Sequence, residues 1–131
     1  MELLEIAGTQ YSPYVKMDSR TREIVISGVS RPENTAEFFS PILQWVTDYA
    51  NCLRRDGDDL PATRIRIDLQ YFNSITAKFV TNLILKCKSL YSGNEGLLVE
   101  WVYDVDDEEA YDWGMDLAGV VGMNFHFERR E

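Results

Sequence analysis

The residues best placed to do chemistry are the two hydroxyls of Asn73-Ser74-Ile75-Thr76. They follow directly on Ile65-Arg66-Ile67-Asp68-Leu69-Gln70-Tyr71-Phe72, which reads as a strand ending at Tyr71-Phe72. Asn73 or Ser74 is then a natural helix N-cap. A hydroxyl at that point lies close to free backbone N–H donors and to the positive end of the helix dipole. The chemistry open to it is acceptance of a phosphoryl group, because a dianion at a helix N-terminus is tolerated rather than repelled. The plain alternative is an N-cap and nothing more, since Ser and Asn fill such positions constantly. Residue types alone leave both readings open.

Other constellations fail on their own terms. Asp104, Asp106, Asp107, Glu108, Glu109, Asp112 and Asp116 form an acidic run. A calcium loop starting at Asp104 needs Gly at its sixth position and Glu at its twelfth. Those positions hold Glu109 and Met115. The run reads instead as the acidic start of a helix, which the dipole favours, and no metal is expected. His126 is the only histidine. One imidazole cannot build a multi-histidine metal site, and no neighbouring Ser or Cys suggests a triad. A hydrolase using Ser74 as nucleophile lacks a base that the sequence places beside it. Gly93-Asn94-Glu95-Gly96 matches neither the phosphate-loop nor the dinucleotide pattern and reads as a turn. No catalytic residue and no cofactor are expected.

The elements that must hold the Ser74 turn alternate between strand and helix patterns, which indicates a layered α/β or α+β domain. Leu3–Ile6, Tyr14–Met17 and Glu23–Ser27 read as short strands, the last stopping at Gly28. Thr63–Tyr71 is the clearest strand. Ile65, Ile67, Leu69 and Tyr71 are expected on one face, with Arg64, Arg66, Asp68 and Gln70 on the other. That alternation leaves one face of the sheet wet, so helices should cover mainly the opposite face. Leu97–Tyr103 is apolar nearly throughout and reads as a central strand. Met123, Phe125 and Phe127 alternate in a final strand.

Three helices separate these strands. The first is expected from about Pro32 to Arg55, with Phe39, Ile42, Leu43, Val46, Ala50 and Leu53 on its apolar stripe. Phe38, Trp45 and Cys52 widen that stripe, which suits deep burial or a docking edge. The second runs from about Ser74 to Tyr91, with Phe79, Val80, Leu83, Ile84, Cys87 and Leu90 inward, and Ser92-Gly93-Asn94 ends it. The third spans roughly Asp107 to Val121, with Ala110, Trp113 and Leu117 inward. Gly114 and Gly119 weaken it.

Composition narrows the function classes. The 131 residues suit one domain over 1–131, and 45% hydrophobic residues suffice for a core. A formal net charge of −9 argues against nucleic acid and anionic membrane surfaces as partners. No Lys or Arg occurs between Ser89 and Glu128, so the C-terminal third presents a single sign that would steer a basic partner. No apolar run follows a basic start and none approaches membrane-spanning length, so neither a signal peptide nor membrane insertion is expected. Cys52 and Cys87 both fall in expected helices and read as reduced thiols of a cytoplasmic protein.

Several separated segments carry a resemblance. They are Gly8-Thr9-Gln10 with Ser12-Pro13, Arg31-Pro32-Glu33-Asn34 with Glu37-Phe38-Phe39, and Pro41-Ile42-Leu43-Gln44-Trp45. Tyr71-Phe72-Asn73-Ser74 and Trp101-Val102-Tyr103-Asp104 with Asp106-Asp107 complete the set. Each is short, but in order and spacing they resemble the SiaC family of regulatory phosphoproteins over nearly the whole chain. The resemblance implies a fold like that of anti-sigma-factor antagonists (STAS-like), with a mixed sheet and helices mainly on one face. It implies no catalytic activity. It implies a partner protein kinase and a metal-dependent PP2C-type phosphatase acting on Ser74. The unphosphorylated form would then bind and activate a diguanylate cyclase or another signalling effector, which links it to cyclic di-GMP and biofilm. Ile75 stands where the family often has a further small hydroxyl residue, which leaves Thr76 as an alternative acceptor. The partner surface expected around Ser74 comprises Tyr71, Phe72, Asn73 and Lys78. The free protein is expected to be a monomer. The other reading kept open is a constitutive adaptor, or an anti-sigma-factor antagonist in a partner-switching pathway.

Overall fold

The computed structural model describes residues 2–55, 60–91 and 95–131, with the backbone alone at Arg55. The elements run β1 (Leu4–Ile6), β2 (Tyr14–Asp18), β3 (Glu23–Val29), α1 (Thr35–Arg55), β4 (Thr63–Tyr71), α2 (Ser74–Lys88), β5 (Leu97–Asp104), α3 (Glu108–Val121) and β6 (His126–Arg130). The strands form one six-stranded mixed sheet in the order β1-β2-β3-β4-β5-β6. The first two pairings are antiparallel and the last three parallel.

This topology explains why one sheet face is bare. Each of α1, α2 and α3 connects two neighbouring parallel strands, and every step goes in the same direction across the sheet. Crossovers of one hand stepping one way must all fall on the same face. That face buries Val15, Met17, Ile24, Ile26, Ile65, Ile67, Leu69, Val99 and Trp101 against Phe39, Ile42, Val46, Val80, Leu83, Ile84 and Leu117. The opposite face carries charges in register. Arg64 and Arg66 both reach Glu100, at 2.8 and 3.3 Å, and Arg66 also holds Glu128 at 2.6 Å. Arg130 joins Asp68 and Asp104. Alternation in β4 becomes an ion-pair ladder rather than an uncovered apolar surface. Leu97–Asp104 is an interior strand as expected, although Glu100 sits on its outward face.

The boundaries shift for local reasons. Helix α1 starts at Thr35 rather than Pro32, because the Asn34 side chain accepts the Glu37 N–H at 3.0 Å and caps it. Its wide apolar face is mostly core: Trp45 and Tyr49 are buried with the first stripe, and Phe38 is half-buried. Helix α2 ends at Lys88 with Ser89 as its cap. The turn residues Ser92-Gly93-Asn94 lie outside the described residues. The final strand begins at His126 instead of Met123: Met123 and Phe125 are buried, but pairing with β5 starts at Glu100–His126. Burial therefore alternates before the hydrogen-bond ladder begins.

Tyr71 departs from the expected face. It is 44% exposed, unlike Ile65, Ile67 and Leu69. The pairing of β3 with β4 slips between Gly28 and Val29, so Gly28 faces Leu69 while Val29 faces Tyr71. Gly28 absorbs the irregularity at φ 98°, a conformation that favours glycine. A register slip of this kind turns the following side chain out of the alternation.

In α3 the expected weakness at Gly114 has a packing reason. A Cβ there would lie 2.6 Å from Trp101 Cδ1 and Nε1 and 2.7 Å from Phe127 Cε1. The indole N–H of Trp101 donates to the Ala110 carbonyl at 2.9 Å, which fixes the ring beneath the helix. No described helix is long and apolar enough to cross a membrane.

Candidate functional site

The Ser74 turn sits where the parallel strands end. Asn73 is the N-cap of α2: its side-chain oxygen accepts the Thr76 N–H at 2.9 Å and its carbonyl accepts the Ala77 N–H at 3.1 Å. That leaves the Ser74 side chain free of capping duty, on the first residue of the helix and exposed to water. Ile75 beside it is 50% exposed.

Thr76 lies in a different environment. It is 0% exposed, and its hydroxyl is paired with that of Ser30 at 2.8 Å. Both hydroxyls belong to one helical turn, yet only that of Ser74 reaches the surface. A transfer to Thr76 would require the Ser30 contact to break and the turn to open.

Four side chains were expected around Ser74: Asn73 is taken up as the cap of α2, and the other three divide between two hollows. Lys78 lies one helical turn on and is exposed. With Ser74 it lines a groove of about 450 Å³ between α2 and α3, together with Ala77, Thr81, Asn82, Trp113, Leu117 and Val120. Val120 is 69% exposed. Tyr71 and Phe72 line an adjoining hollow with Asp107, Glu109, Ala110 and Trp113. Phe72 is half-buried and meets the Trp101 and Trp113 rings edge-on, at centroid distances of 5.8 and 5.5 Å. Trp113 is the wall common to both hollows. Phe72 thus anchors the turn as much as it offers a surface.

The loop after β3 clamps the same turn. The Ser30 N–H donates to the Tyr71 carbonyl at 2.8 Å, and the Arg31 N–H donates to the Tyr11 carbonyl at 2.6 Å. The Arg31 guanidinium lies over the Tyr71 ring, 4.2 Å from its centroid. Sequence reasoning placed Arg31 in a motif but assigned it no role at the turn. Its contact with Tyr71 spans two strands and a register slip, so no local pattern announces it. Val120 was missed because it lies off the inward stripe of α3.

The acidic run serves α3. Asp107 caps the helix by accepting the Ala110 N–H at 3.0 Å, and Glu108 and Glu109 fill the first turn. Among the described residues no three His, Cys, Asp or Glu side chains form a group that could hold a metal ion. His126 is exposed on the outward face of β6.

A family model described as SiaC family regulatory phosphoprotein matches residues 6–130. The chain belongs to the SiaC family. An uncharacterized protein of Pseudomonas aeruginosa (strain UCBPP-PA14) is 25% identical over 108 residues, covering 82% of this chain and 81% of that protein. SiaC of Pseudomonas aeruginosa shares the fold with a TM-score of 0.79 at 22% identity, over 99% of this chain and 100% of that one. A chain in the crystal structure of the diguanylate cyclase SiaD in complex with its activator SiaC, also from Pseudomonas aeruginosa, aligns with a TM-score of 0.82 at 22% identity. That alignment covers 97% of this chain and 99% of that one. The membership makes this a regulatory signalling protein, and the structural likeness establishes the SiaC fold with its helices on one sheet face.

Proposed function

We propose that this SiaC-family protein is a binding module gated by phosphorylation of Ser74. The observation that carries the reading is the exposure of the Ser74 hydroxyl, with Asn73 doing the capping, at the rim of the α2–α3 groove. A partner kinase transfers the γ-phosphoryl group of a nucleoside triphosphate: the Ser74 Oγ–P bond forms, the bond to the nucleoside diphosphate breaks, and the hydroxyl proton passes to a base of the kinase. A PP2C-type phosphatase hydrolyses the ester and returns the free serine. The phosphate adds about −1.5 to −2 charges at pH 7, at a helix N-terminus where the dipole accepts them. The fold is retained, and the surface changes.

The unphosphorylated protein binds and activates a diguanylate cyclase. SiaC stands as the activator of the diguanylate cyclase SiaD in the crystal structure that this chain resembles. A dianion at Ser74 would have to be desolvated on docking and would weaken that complex. Intact-mass and fragment analysis after co-expression with the cognate kinase tests the acceptor. One phosphate on Ser74 is the expected result, and a phosphate on Thr76 or none at all would overturn the assignment. Binding to the cyclase should survive Ser74→Ala and fall for Ser74→Asp. If both folded variants bind as the wild type does, the gate is elsewhere.

A further inference from the structure

We propose that Arg31 leaves the face of Tyr71 to hold the phosphoryl group of phosphorylated Ser74. The proposal rests on the reading that Ser74 carries the phosphate, and it adds the residue that receives it.

Arg31 is exposed, and its guanidinium lies on the Tyr71 ring at 4.2 Å from the centroid. Among the described residues it has no carboxylate partner within ion-pair distance. Its backbone, by contrast, is fixed beside the turn. Ser30, the residue before it, bonds the Tyr71 carbonyl through its N–H at 2.8 Å and the Thr76 hydroxyl through its side chain at 2.8 Å. Those two partners stand on either side of Ser74. The Arg31 N–H is itself held by the Tyr11 carbonyl at 2.6 Å. The stem of the arginine therefore starts from backbone tied to the turn that carries Ser74, and its guanidinium is held by the Tyr71 ring alone among the described contacts.

The relative strength of the two contacts sets the direction of movement. A guanidinium on an exposed tyrosine ring makes a weak contact. A bidentate, charge-assisted pair with phosphate oxygens is stronger, and the planar fork of arginine suits it. Phosphorylation would then alter the surface twice: charge appears at Ser74, and the Tyr71 ring is uncovered. Lys78 is the competing cation. It lies at i+4 on the same helix face, but it is a point charge on a flexible stem.

The test uses protein with phosphoserine installed genetically at position 74, so that no kinase is involved. The pH titration of the phosphate is followed by phosphorus NMR at low salt in the wild type, Arg31→Ala, Arg31→Gln and Lys78→Ala. A cation holding the dianion lowers the phosphate pKa below its ordinary value of about 6. The wild type should show that lowering. Arg31→Ala and Arg31→Gln should abolish most of it, and Lys78→Ala should leave it in place. Tyr71 ring signals should move on phosphorylation in the wild type and stay put in Arg31→Gln. An unchanged phosphate pKa in both Arg31 variants, or a lowering lost only in Lys78→Ala, overturns the proposal. A kinase that modifies another residue would overturn the assignment of Ser74 without altering this titration.

Discussion

The hydroxyls of Ser30 and Thr76 lie 2.8 Å apart, and both residues are fully shielded from water. Each satisfies the other, joining the loop after β3 to the first turn of α2. Thr76→Ala leaves the Ser30 hydroxyl buried and unpaired, which should cost about 1–3 kcal/mol in urea denaturation. Ser74→Ala, at an exposed position with no bond to lose, should stay within about 0.5 kcal/mol of the wild type. Equal losses at the two positions would contradict the different burial of the two hydroxyls.

The two glycines of α3 should respond in opposite directions. Helix propensity alone favours Ala over Gly by about 1 kcal/mol at either place. Gly119 has nothing within 4 Å of an added Cβ, so Gly119→Ala should stabilise by up to about 1 kcal/mol. At Gly114 the methyl would enter the Trp101 and Phe127 rings, so Gly114→Ala should destabilise by about 1–3 kcal/mol despite the propensity gain. Paired denaturation curves check both signs.

Acid should loosen the helix-free face of the sheet. Partial burial pushes the Glu100 carboxyl up, but the bonds and charges of Arg64 and Arg66 more than offset this and hold it below its ordinary 4.5. Asp18 is also lowered, first by the Arg20 main-chain N–H, against opposing desolvation. A carboxylate depressed in the folded state stabilises fully above its unfolded pKa and loses that contribution as pH falls through the lower folded value. Stability should therefore fall below about pH 4.5, and Glu100→Gln should flatten that fall. A slope unchanged by Glu100→Gln would show that other carboxylates carry the acid response.

Cys87 should be chemically silent while the protein is folded. It is 0% exposed, and burial pushes its thiol up to about 12. A thiol whose folded pKa is that high stays protonated at pH 8, and the thiolate is the reactive form. In Cys52→Ser, labelling of Cys87 by an aromatic disulfide reagent should proceed only as fast as the protein opens. In Cys87→Ser, the half-buried Cys52 should label without denaturant. Prompt labelling of Cys87 in folded protein would contradict its burial.

Much of the architecture was legible in local patterns. The alternation of Ile65, Ile67 and Leu69 with Arg64, Arg66 and Asp68 implied one wet sheet face, and the ion pairs of Arg64 and Arg66 with Glu100 show how that face is kept polar. The periodicity of Phe39, Ile42, Val46 and Leu53 was enough for the buried side of α1, because a helix face is set by spacing along one segment. The position of Ser74 after a strand and at a helix start was visible for the same reason.

Contacts between distant segments were beyond any local pattern. Tyr71 looked inward by parity; the slip between Gly28 and Val29, on a neighbouring strand, turned it outward under Arg31. Gly114 looked like a flaw in a helix until the Trp101 ring was found against it. The sequence by itself determined that two hydroxyls, Ser74 and Thr76, stand in the first turn of a helix. Only the tertiary structure decided which of them is exposed: Ser30, far away in the chain, closes over Thr76, and water reaches Ser74 alone. Accessibility belongs to the packed molecule, since it depends on what other segments bring to a residue and not on the residue's own neighbours.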